Sequence, residues 1–426
     1  MNDLWPAPVA SGTLDAVVEI PGSKSVTNRL LVLAALAAEP TTIEHPLRAR
    51  DTELMADALR ALGTLVATSG DGWLVTPGDL HGPATIDCGL AGTVMRFVPP
   101  VAALADGPVV FDGDPRARHR PMAPLLDALH SLGARIEDGG RRALPFTVHG
   151  QGGLDGGAVT LAAGASSQFV SALLLAGCRF RNGLTLTVVG PTPSLPHVEM
   201  TRQILRGAGV QVDHDDAATW RVHPGTPSGG RHQVPPDLSN AGPFLAACVL
   251  VGGCVRVPGW GDAVPAQPGD AIRAVVRAMG ATDDLTDDGT LVVRADGRVR
   301  GIDVDLGALP ELVTTVAALA ALADSPSTIR GVAHLRGHET DRLAALTAEL
   351  NLIGGDVTET DDGLVIRPRP LRGGVFHTYA DHRMATAGAL IGLAVPGLMV
   401  EDVATTGKTL PDFPGRWSRL LGTTVA

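Results

Sequence analysis

Glu349-Leu-Asn-Leu-Ile-Gly354 opens the stretch that decides the fold, which continues through Val357 to the turn Asp361-Asp-Gly363 and the segment Leu364-Val-Ile366. The first segment is an apolar helix pattern that ends in glycine, a residue suited to the positive φ that often follows the last helical turn. An acidic residue followed by glycine favours a hairpin turn between two strands. The stretch therefore predicts a helix, a strand, a tight turn and a second strand.

The same pattern recurs along the chain. The glycines that end the apolar helix patterns are Gly63, Gly133, Gly209, Gly280, Gly354 and Gly422. Successive glycines in this set are 70, 76, 71, 74 and 68 residues apart. A helix followed by glycine and a strand is common in any α/β protein, but near-constant spacing favours repeated supersecondary units. The sequence thus predicts six α/β units, the last of which leads to Val425.

Six units divide naturally into three plus three. A proline pair in Val234-Pro-Pro-Asp237 follows the third unit and marks a boundary. We therefore predict one lobe of residues 21–234 with three units, and a second lobe of residues 1–20 plus 235–426 with the other three. Because clefts between domains are common ligand sites, the active site is expected in the cleft between the lobes.

Composition and charge exclude several kinds of protein. The formal net charge of −11 argues against attraction to nucleic acid or to an anionic membrane. No run reaches the roughly 18 apolar residues of a membrane span, and Trp5-Pro-Ala-Pro8 interrupts any apolar signal segment. The four cysteines show neither metal-ligand spacing nor the density of a disulfide framework. We expect a cytoplasmic protein that holds any anionic ligand with locally gathered cations.

The segment Pro21-Gly-Ser-Lys-Ser-Val-Thr-Asn-Arg29 follows a predicted strand at Leu14–Ile20 and precedes an Ala- and Leu-rich helix. Lys24, Ser25 and Arg29 would surround a helix N-terminus, where free N–H groups and the helix dipole favour an anion. The segment is not a nucleotide P-loop, because that motif needs glycine directly before the lysine. A solvated helix cap is the competing interpretation.

Two further segments place arginine beside small residues. In Asp87-Cys-Gly-Leu-Ala-Gly-Thr-Val-Met-Arg96, Gly92 allows close approach to the backbone and the arginine lies in the first helical turn. In Arg116-Ala-Arg-His-Arg-Pro121 the arginines alternate, so all three would face one side of an extended segment. Arg120 is the best candidate to bind carboxylate or phosphate with its forked guanidinium. A glycine turn and a solvated basic loop are the competing interpretations.

Four more segments carry groups suited to phosphate binding or proton transfer. They are Ala165-Ser-Ser-Gln-Phe169, Leu335-Arg-Gly-His-Glu-Thr-Asp-Arg342, Tyr379-Ala-Asp-His-Arg-Met384 and Lys408-Thr-Leu-Pro-Asp-Phe413. Glu339 is a candidate acid or base and Arg342 a candidate anion clamp, with a helical ion pair as the competing interpretation. Histidines and carboxylates show no metal-ligand spacing, so no metal site is expected. Together these segments indicate a small polyanionic substrate.

Taken in order from Ile20 to Phe413, these segments resemble the 5-enolpyruvylshikimate-3-phosphate synthase family. The motifs that carry the resemblance are Pro-Gly-Ser-Lys-Ser, Ala-Gly-Thr, Arg-Pro, Ser-Ser-Gln, Glu-Thr-Asp-Arg, Asp-His-Arg and Lys-Thr. The resemblance implies an α/β fold, a two-lobe inside-out α/β barrel of six βαβαββ repeats with three repeats in each lobe. It is consistent with the repeat count above.

The resemblance also implies an activity. An enolpyruvyl (1-carboxyvinyl) transferase of this family moves that group from phosphoenolpyruvate to the 5-hydroxyl of shikimate 3-phosphate and releases phosphate by addition and elimination. This step belongs to the shikimate pathway, which leads to chorismate and the aromatic amino acids. No cofactor is implied, and we expect a monomer. We also expect inhibition by the family inhibitor glyphosate, because a side chain at this position would crowd that inhibitor and Gly92 has none.

The resemblance assigns roles residue by residue. The residues implied to bind shikimate 3-phosphate are Lys24, Ser25, Arg29, Ser166, Ser167, Ser194, Glu311, His334 and His338. Those implied to bind phosphoenolpyruvate are Lys24, Gly92, Arg120, Gln168, Arg342, Arg383 and Lys408. Glu311 would remove the hydroxyl proton and Glu339 would protonate the methylene carbon, with Lys24 nearby. Arg96 and His382 would support the site.

The chain departs from the commonest family pattern at a few positions. Glu311 stands where aspartate is frequent, so the base would lie one methylene further from the backbone. His334 and His338 stand where asparagine and lysine are usual, and His197 stands where tyrosine is common. Leu90 replaces an asparagine. Because these histidines can be charged, affinity for shikimate 3-phosphate is predicted to fall as they deprotonate.

Two other functions compete with this one. The sister enolpyruvyl transferase acting on UDP-N-acetylglucosamine shares the repeat fold, but typically has Lys-Asn near its N-terminus and a reactive cysteine on a mobile loop. Here the pair is Lys24-Ser25, and residues 89–177 contain no cysteine. The cations would suit a non-catalytic phosphate-ligand binding protein equally well. Carboxylates such as Glu311 and Glu339, however, would weaken the binding of an anion, so their presence is better explained if they transfer protons.

Overall fold

A computed structural model of the chain describes residues 3–162, 166–190, 194–216, 218–261 and 265–422. The chain divides into two compact units. The continuous unit is Gly22–Val234, and the discontinuous unit combines Met1–Pro21 with Pro235–Ala426. Among the described residues, no helix combines the length and the apolar character needed to cross a membrane.

The helices of the described residues are short, most of them two to four turns. In chain order they are α1 Lys24–Ala35, α2 Arg50–Ala61, α3 Gly92–Ala102, α4 Ala123–Ser131, α5 Ser167–Gly177, α6 Leu195–Gly207, α7 Leu238–Val251, α8 Ile272–Ala278, α9 Val313–Ala321, α10 Arg342–Leu352, α11 His382–Gly392 and α12 Phe413–Leu420. Short 3₁₀ helices lie at Ala117–His119, Pro268–Ala271, Pro310–Leu312, Ala333–Gly337 and Val403–Lys408.

The strands are likewise short. They are β1 Leu4–Pro6, β2 Leu14–Val17, β3 Thr41–Glu44, β4 Leu65–Ser69, β5 Gly72–Thr76, β6 Ala84–Asp87, β7 Asp106–Asp112, β8 Arg135–Glu137, β9 Phe146–Gln151, β10 Gly157–Ala162, β11 Leu184–Val189, β12 Val212–Asp216, β13 Thr219–Val222, β14 Gly230–Gln233, β15 Gly253–Val257, β16 Thr282–Leu285, β17 Leu291–Ala295, β18 Asp303–Asp305, β19 Ser327–Arg330, β20 Asp356–Glu359, β21 Leu364–Arg367, β22 Gly374–Phe376 and β23 Leu398–Glu401. The strand predicted at Leu14–Ile20 ends at Val17, three residues earlier than expected.

The strands of the described residues form six sheets, and five of them have the same four-stranded order. In the sheet of β6 to β9, β6 is parallel to β7 across helix α3, and β7 pairs antiparallel with β9. The hairpin partner β8 then takes the outer edge. The sheet of β10 to β13 repeats this pairing strand for strand. A parallel pair needs a crossover connection, here a helix, so each of these two sheets is a βαβαββ arrangement.

Three sheets complete themselves with strands from distant parts of the chain. β14, at the end of the continuous unit, lies parallel to β3 near its start. β2 precedes the continuous unit in sequence, yet it pairs with β15 after it. In the sixth sheet β1 pairs antiparallel with β23, in the position that a hairpin strand takes elsewhere. The predicted final strand near Val425 lies outside the described residues.

The six repeat glycines have the conformation that their position predicts. Their φ values lie between 66° and 121°, in the region that side chains with a β-carbon rarely adopt. Each glycine ends a helix just before the hairpin or the chain end, so this prediction is confirmed. The acidic turns at Asp71-Gly72 and Asp361-Asp-Gly363 also lie between paired antiparallel strands, as predicted.

Each unit has its own apolar core. In the continuous unit α1, α3 and α5 are buried on nearly every side, which requires sequences that are apolar all round. Every residue of α9 and α11 in the discontinuous unit is likewise buried. With only 3% aromatic residues, Ala, Val and Leu fill these cores. The α/β class is confirmed, and the predicted motifs that contain Lys24, Gly92, Ser167 and His382 lie at the N-termini of four of these buried helices.

Candidate active site

The first motif lies at the start of α1. Ser23 caps this helix, because its hydroxyl oxygen accepts a hydrogen bond from the Val26 N–H at 3.4 Å. The helix begins at Lys24, as the sequence predicts. The Lys24 ammonium lies 3.7 Å from Oδ2 of Asp51, a carboxylate that is 1% exposed. Because Lys24 itself keeps 20% of its side chain exposed, the buried Asp51 orients a cation that solvent or a ligand still reaches.

Arg29, from the same motif, is buried and bonded within the protein. Its Nε donates to the Thr201 hydroxyl at 2.7 Å, and Nη2 donates to the Ser171 hydroxyl at 3.3 Å and the His197 carbonyl at 3.2 Å. Nη1 donates to the Ser25 carbonyl at 2.9 Å. The guanidinium therefore links α1, α5 and α6. Its predicted contact with shikimate 3-phosphate stays a prediction beside this structural role.

Three motifs meet around Gly92, the first residue of α3. A β-carbon at this glycine would lie 2.8 Å from Nη1 of Arg96 and 3.0 Å from both terminal nitrogens of Arg120. Arg96 donates to Oε1 of Gln168 at 2.8 Å, and Arg120 donates to the Leu90 carbonyl at 3.2 Å. Four residues predicted from separate segments are thus brought together. Two guanidinium groups beside a bare backbone form a cradle for a small anion.

The remaining arginines of the third motif do not share this arrangement. Residues Ala117–His119 form a 3₁₀ turn rather than an extended segment, so the predicted alternation of Arg116, Arg118 and Arg120 on one side is wrong. Arg118 instead forms a bidentate pair with Asp112, at 2.9 and 2.7 Å. That pair holds the pKa of the Asp112 carboxyl below its usual value.

Serines begin the next two helices of the continuous unit. Ser166 caps α5, and its hydroxyl accepts the Gln168 N–H at 3.2 Å. Ser167 is buried at the first position of the same helix. Ser194 precedes α6 with φ 52°, and its side chain is also buried. Each of these serines therefore lies at a helix N-terminus, where an anion is favoured.

In the discontinuous unit two of the predicted cations, Arg342 and Lys408, are held by carboxylates. Arg342 donates through Nε to Oδ2 of Asp381 at 2.8 Å and through Nη2 to Oδ1 at 3.2 Å. Its Nη2 also donates to Oε2 of Glu339 at 3.0 Å, and Lys408 donates to the other oxygen of Glu339. Arg342 and Lys408 are 3% exposed, so these are nearly buried ion pairs. Glu339 lies between two cations, one on each oxygen.

Asp381 also organises the start of α11. It is the N-cap of this helix, and its Oδ1 accepts the Arg383 N–H at 2.9 Å. The Arg383 side chain donates to the Ser239 carbonyl at 2.9 Å, and burial lowers its pKa. Nδ1 of His382 lies 3.6 Å from Oδ1 of Asp381. Burial and these contacts fix the directions of both His382 and Arg383.

The predicted base lies near the same cluster. Glu311 is half-buried in the 3₁₀ turn Pro310–Leu312. Burial lowers the pKa of His334, the negative charge of Glu311 opposes this, and the positive charge of Arg342 adds to it. Nε2 of His334 is buried and, within the described residues, has no hydrogen-bond partner. The His338 ring centroid lies 6.0 Å from that of His334. The structure thus brings Glu311, His334 and Arg342 into electrostatic contact.

Three residues of this cluster are close enough together to hold a metal ion. Ligand atoms of Glu339, Asp381 and His382 lie within 4.8 Å of one another. The two carboxylates already bind Arg342 and Lys408, so a metal ion would have to displace two cations or accept their repulsion. These residues do not fit a metal ion well.

Two residues of the site were not assigned from the sequence. Asp51 orients Lys24 but lies in an unremarkable segment, so no local signal could have found it. Asp381 stands directly before the helix that begins at His382, and aspartate before a helix is a recognisable N-cap signal. Its second role, binding Arg342, depends on a contact between residues 39 positions apart.

Comparison with known proteins agrees with this geometry. The family model of EPSP synthase (3-phosphoshikimate 1-carboxyvinyltransferase) matches residues 9–417. A 3-phosphoshikimate 1-carboxyvinyltransferase of Kocuria rhizophila is 55% identical, with 99% of this chain and 97% of that protein covered. Two solved structures of EPSP synthase from Acinetobacter baumannii superpose with TM-scores of 0.79 and 0.76, each at 24% identity. The first covers 99% of this chain and 98% of that one, the second 95% and 96%.

The repeated α/β sheets, with buried cations at the N-termini of central helices, define a class of enzyme that acts on small phosphorylated anions. Within that class, the family model and the Kocuria relative are decisive. The chain belongs to the EPSP synthase family. The resemblance inferred from the sequence motifs is thereby confirmed, and the sister UDP-sugar enzyme is disfavoured.

Proposed function

We propose that the chain transfers the enolpyruvyl group of phosphoenolpyruvate to the 5-hydroxyl of shikimate 3-phosphate and releases phosphate. The K. rhizophila relative bears the name of this activity at 55% identity over nearly the whole chain. The structural observation that best supports catalysis is Glu339, a carboxylate placed between Arg342 and Lys408. A protein that only bound anions would gain affinity by lacking this negative charge.

Phosphoenolpyruvate carries a phosphate and a carboxylate, and both need cationic partners. The residues we assign to it are Lys24, Gly92, Arg120, Gln168, Arg342, Arg383 and Lys408. Arg120 and Arg342 present forked guanidinium groups that match either anion. Gly92 has no side chain, so its backbone lies directly beside the Arg120 guanidinium. Arg96, bonded to Gln168, supports the amide that completes this set.

Shikimate 3-phosphate carries one phosphate and ring hydroxyl groups. The residues we assign to it are Lys24, Ser25, Arg29, Ser166, Ser167, Ser194, Glu311, His334 and His338. The serines at the starts of α5 and α6 offer hydroxyl and backbone N–H donors to the phosphate. His334 keeps a buried ring nitrogen that a substrate hydroxyl would satisfy.

The chemistry needs a base and an acid on two different atoms. We assign Glu311 to remove the proton from the 5-hydroxyl, whose oxygen then attacks C2 of phosphoenolpyruvate. Glu339 gives a proton to C3, which forms the tetrahedral intermediate. The intermediate then loses the C3 proton and phosphate, and the cations stabilise the departing charge. We assign Lys24 to assist this proton transfer.

The reaction is tested by phosphate release from phosphoenolpyruvate, with shikimate 3-phosphate and separately with UDP-N-acetylglucosamine. We expect release with shikimate 3-phosphate alone and without added metal. Release only with the nucleotide sugar would establish the sister activity instead. If neither acceptor gives phosphate while shikimate 3-phosphate still binds in calorimetry, the protein is a phosphate-ligand binder.

Three further properties follow from the same proposal. We propose that the enzyme acts in the cytoplasm, works as a monomer and is inhibited by glyphosate at the phosphoenolpyruvate site. The missing side chain at Gly92, which brings its backbone next to Arg96 and Arg120, supports the inhibition by glyphosate. Sedimentation of the purified protein would test the monomer, and inhibition kinetics against phosphoenolpyruvate would test the effect of glyphosate.

A further inference from the structure

Glu349 is a buried carboxylate that the reaction described above does not use. It lies on α10 with 2% exposure and accepts hydrogen bonds on both oxygens. The Tyr379 hydroxyl donates to Oε1 at 2.6 Å, and the His377 N–H donates to Oε2 at 2.9 Å. The His377 ring nitrogen Nδ1 also lies 3.0 Å from Oε2. Three contacts thus tie the segment before α11 to one side chain of α10.

That segment has an unusual backbone. Tyr379 and Ala380 are successive non-glycine residues in the left-handed region, with φ of 55° and 57°. A β-carbon makes this region costly, so it persists only where surrounding contacts hold it. The Asp381 N–H closes the turn by donating to the Thr378 carbonyl at 2.9 Å. The bonds to Glu349 are the side-chain contacts that anchor this strained turn.

The turn leads directly into the cation cluster. Asp381 follows Ala380, caps α11 and binds Arg342 through two hydrogen bonds. Arg342 is the first residue of α10, and Glu349 lies two turns further along the same helix. One helix therefore contacts the segment 377–381 at two points, through Arg342 at one and through Glu349 at the other.

The Tyr379 hydroxyl is suited to this task. Burial raises its pKa to about 12, and the neighbouring Glu349 carboxylate adds to the effect. The hydroxyl therefore stays protonated and donates throughout the range in which the enzyme would work. Tyr379 is also the single tyrosine of the chain, so its substitution can be followed without interference from another phenol.

We propose that Glu349 and Tyr379 are positioning residues for the phosphoenolpyruvate side of the site. They hold the turn at 379–380 so that Asp381 aligns Arg342 and starts α11 with Arg383 in the correct direction. The proposal rests on the function assigned above, since Arg342 and Arg383 are placed there as phosphoenolpyruvate ligands. Neither positioning residue is assigned a contact with a substrate.

The decisive variant is Tyr379→Phe, which removes one hydroxyl and keeps the ring. We expect KM for phosphoenolpyruvate to rise by about 3- to 30-fold. This is less than the roughly 10- to 150-fold effect of losing a hydrogen bond to a charged group, because the lost bond acts on the ligand only through Asp381. KM for shikimate 3-phosphate should stay within about twofold, since none of its assigned ligands is bonded to Tyr379 or Glu349 in the hydrogen bonds described above. Glu349→Gln should raise the same constant, and the double variant should raise it by less than the product of the two effects.

Asn351→Ala is the matched control on the same helix. Asn351 donates to the Val357 carbonyl at 2.9 Å and accepts its N–H at 2.8 Å, so it secures β20 and not the turn. We expect this variant to lower the melting temperature while both KM values stay unchanged. If Tyr379→Phe and Asn351→Ala change both KM values alike, the role is merely structural and the proposal is wrong.

Amide hydrogen exchange without substrates gives a readout independent of turnover. Residues 377–383 should exchange faster in Tyr379→Phe than in the wild-type protein, and exchange in Gly22–Val234 should not change. If the wild-type protein released no phosphate, the proposed function would fail while this comparison still decided the positioning role. Unchanged exchange over 377–383, or an unchanged KM for phosphoenolpyruvate in an active enzyme, would overturn it.

Discussion

The two units hold their candidate cations in different ways. In the continuous unit Arg96 and Arg120 donate to uncharged oxygens, the Gln168 amide and the Leu90 carbonyl. In the discontinuous unit Arg342 donates to Asp381 and Glu339, and Lys408 donates to Glu339. Lys24 is an exception in the continuous unit, because it lies near the buried carboxylate of Asp51.

This difference separates two tasks. A cation held by neutral acceptors keeps its full charge for an incoming anion, so such groups mainly set affinity. A cation held by a carboxylate is oriented rigidly, and part of its charge is offset before a ligand arrives. That arrangement also places a proton-transferring group beside the substrate. We therefore expect substitution of Glu339 in the discontinuous unit to affect turnover, and substitutions around Gly92 to affect binding.

The largest effect is expected for Glu339→Gln. If Glu339 transfers the proton to C3, kcat should fall roughly 10²- to 10⁴-fold, the usual contribution of general acid–base catalysis. Phosphoenolpyruvate should bind at least as tightly, because the change removes a negative charge beside Arg342 and Lys408. Steady-state kinetics and calorimetric binding would measure the two quantities separately.

Glu359→Gln is the control for that experiment. Glu359 pairs with Arg336 at 2.6 Å in the same unit, but this pair is partly solvent-exposed and lies outside the cluster. Its loss should leave kcat unchanged, since exposed ion pairs contribute little. A decrease in kcat of less than about tenfold in Glu339→Gln would remove Glu339 from proton transfer and break the proposed division between the units.

The second effect concerns affinity in the continuous unit. Arg120→Lys keeps the charge but removes the guanidinium fork, and kcat/KM for phosphoenolpyruvate should fall by roughly 10- to 100-fold. Most of the change should appear in KM. Arg118→Lys, two residues away, alters an exposed pair with Asp112 and should change neither constant. If the kcat of Arg120→Lys falls while its KM does not, then Arg120 acts in the transition state and not in binding.

Much of the fold could be predicted because its signals are local. The six glycines, the acidic turns and the apolar helices each reflect a backbone requirement within a few residues. The helix starts at Lys24, Gly92 and His382 could be placed for the same reason. Motif order then supplied the family, and with it the candidate ligands.

The unpredicted parts depend on contacts between distant residues. Two carboxylates, Asp51 and Glu349, carry no sequence signal, because each acts through a distant partner. Asp51 lies 27 positions from Lys24, and Glu349 lies 30 positions from Tyr379. The alternation of Arg116, Arg118 and Arg120 failed for a related reason. Alternate residues face the same side only if the backbone is extended. Residues Ala117–His119 form a 3₁₀ turn instead, so the alternation of the arginines does not place them on one side.

A third effect tests the space at Gly92. A β-carbon in Gly92→Ala would lie 2.8 to 3.0 Å from the nitrogens of Arg96 and Arg120, so both groups must shift by a few tenths of an ångström. KM for phosphoenolpyruvate should rise by about 2- to 10-fold, as expected for mild overpacking. The glyphosate concentration for half-inhibition should rise by more, because that inhibitor has a longer chain between its carboxylate and its phosphorus.

Gly207→Ala is the matched control, because a β-carbon there meets nothing within 4 Å. Its kinetics and inhibition should equal those of the wild-type enzyme. Inhibition kinetics at several phosphoenolpyruvate concentrations would decide the outcome. Equal glyphosate sensitivity in Gly92→Ala and the wild-type enzyme would mean that the two guanidinium groups do not border the inhibitor site.

The smallest effect concerns pH and His334. Burial lowers its pKa from the ordinary 6.5, so His334 is mainly neutral from pH 7 to 8. The sequence predicts that affinity for shikimate 3-phosphate falls as this histidine deprotonates. For His334 that change is therefore not expected between pH 7 and 8, where the ring is already mainly neutral. Its pH dependence should appear instead in stability at lower pH, because burial and the positive charge of Arg342 oppose protonation of the ring more than the negative charge of Glu311 favours it.

The sign follows from the direction of that shift. As the pH falls below about 6.5, the unfolded chain binds a proton at His334 before the folded chain does, so the free energy of unfolding decreases. His334→Asn should flatten this decrease, measured by urea unfolding between pH 5 and 8. Burial also lowers the pKa of His232 in the continuous unit, so some acid sensitivity should remain in the variant. An unchanged slope in His334→Asn would show that protonation of this ring is not opposed by its surroundings, contrary to the direction of its pKa shift.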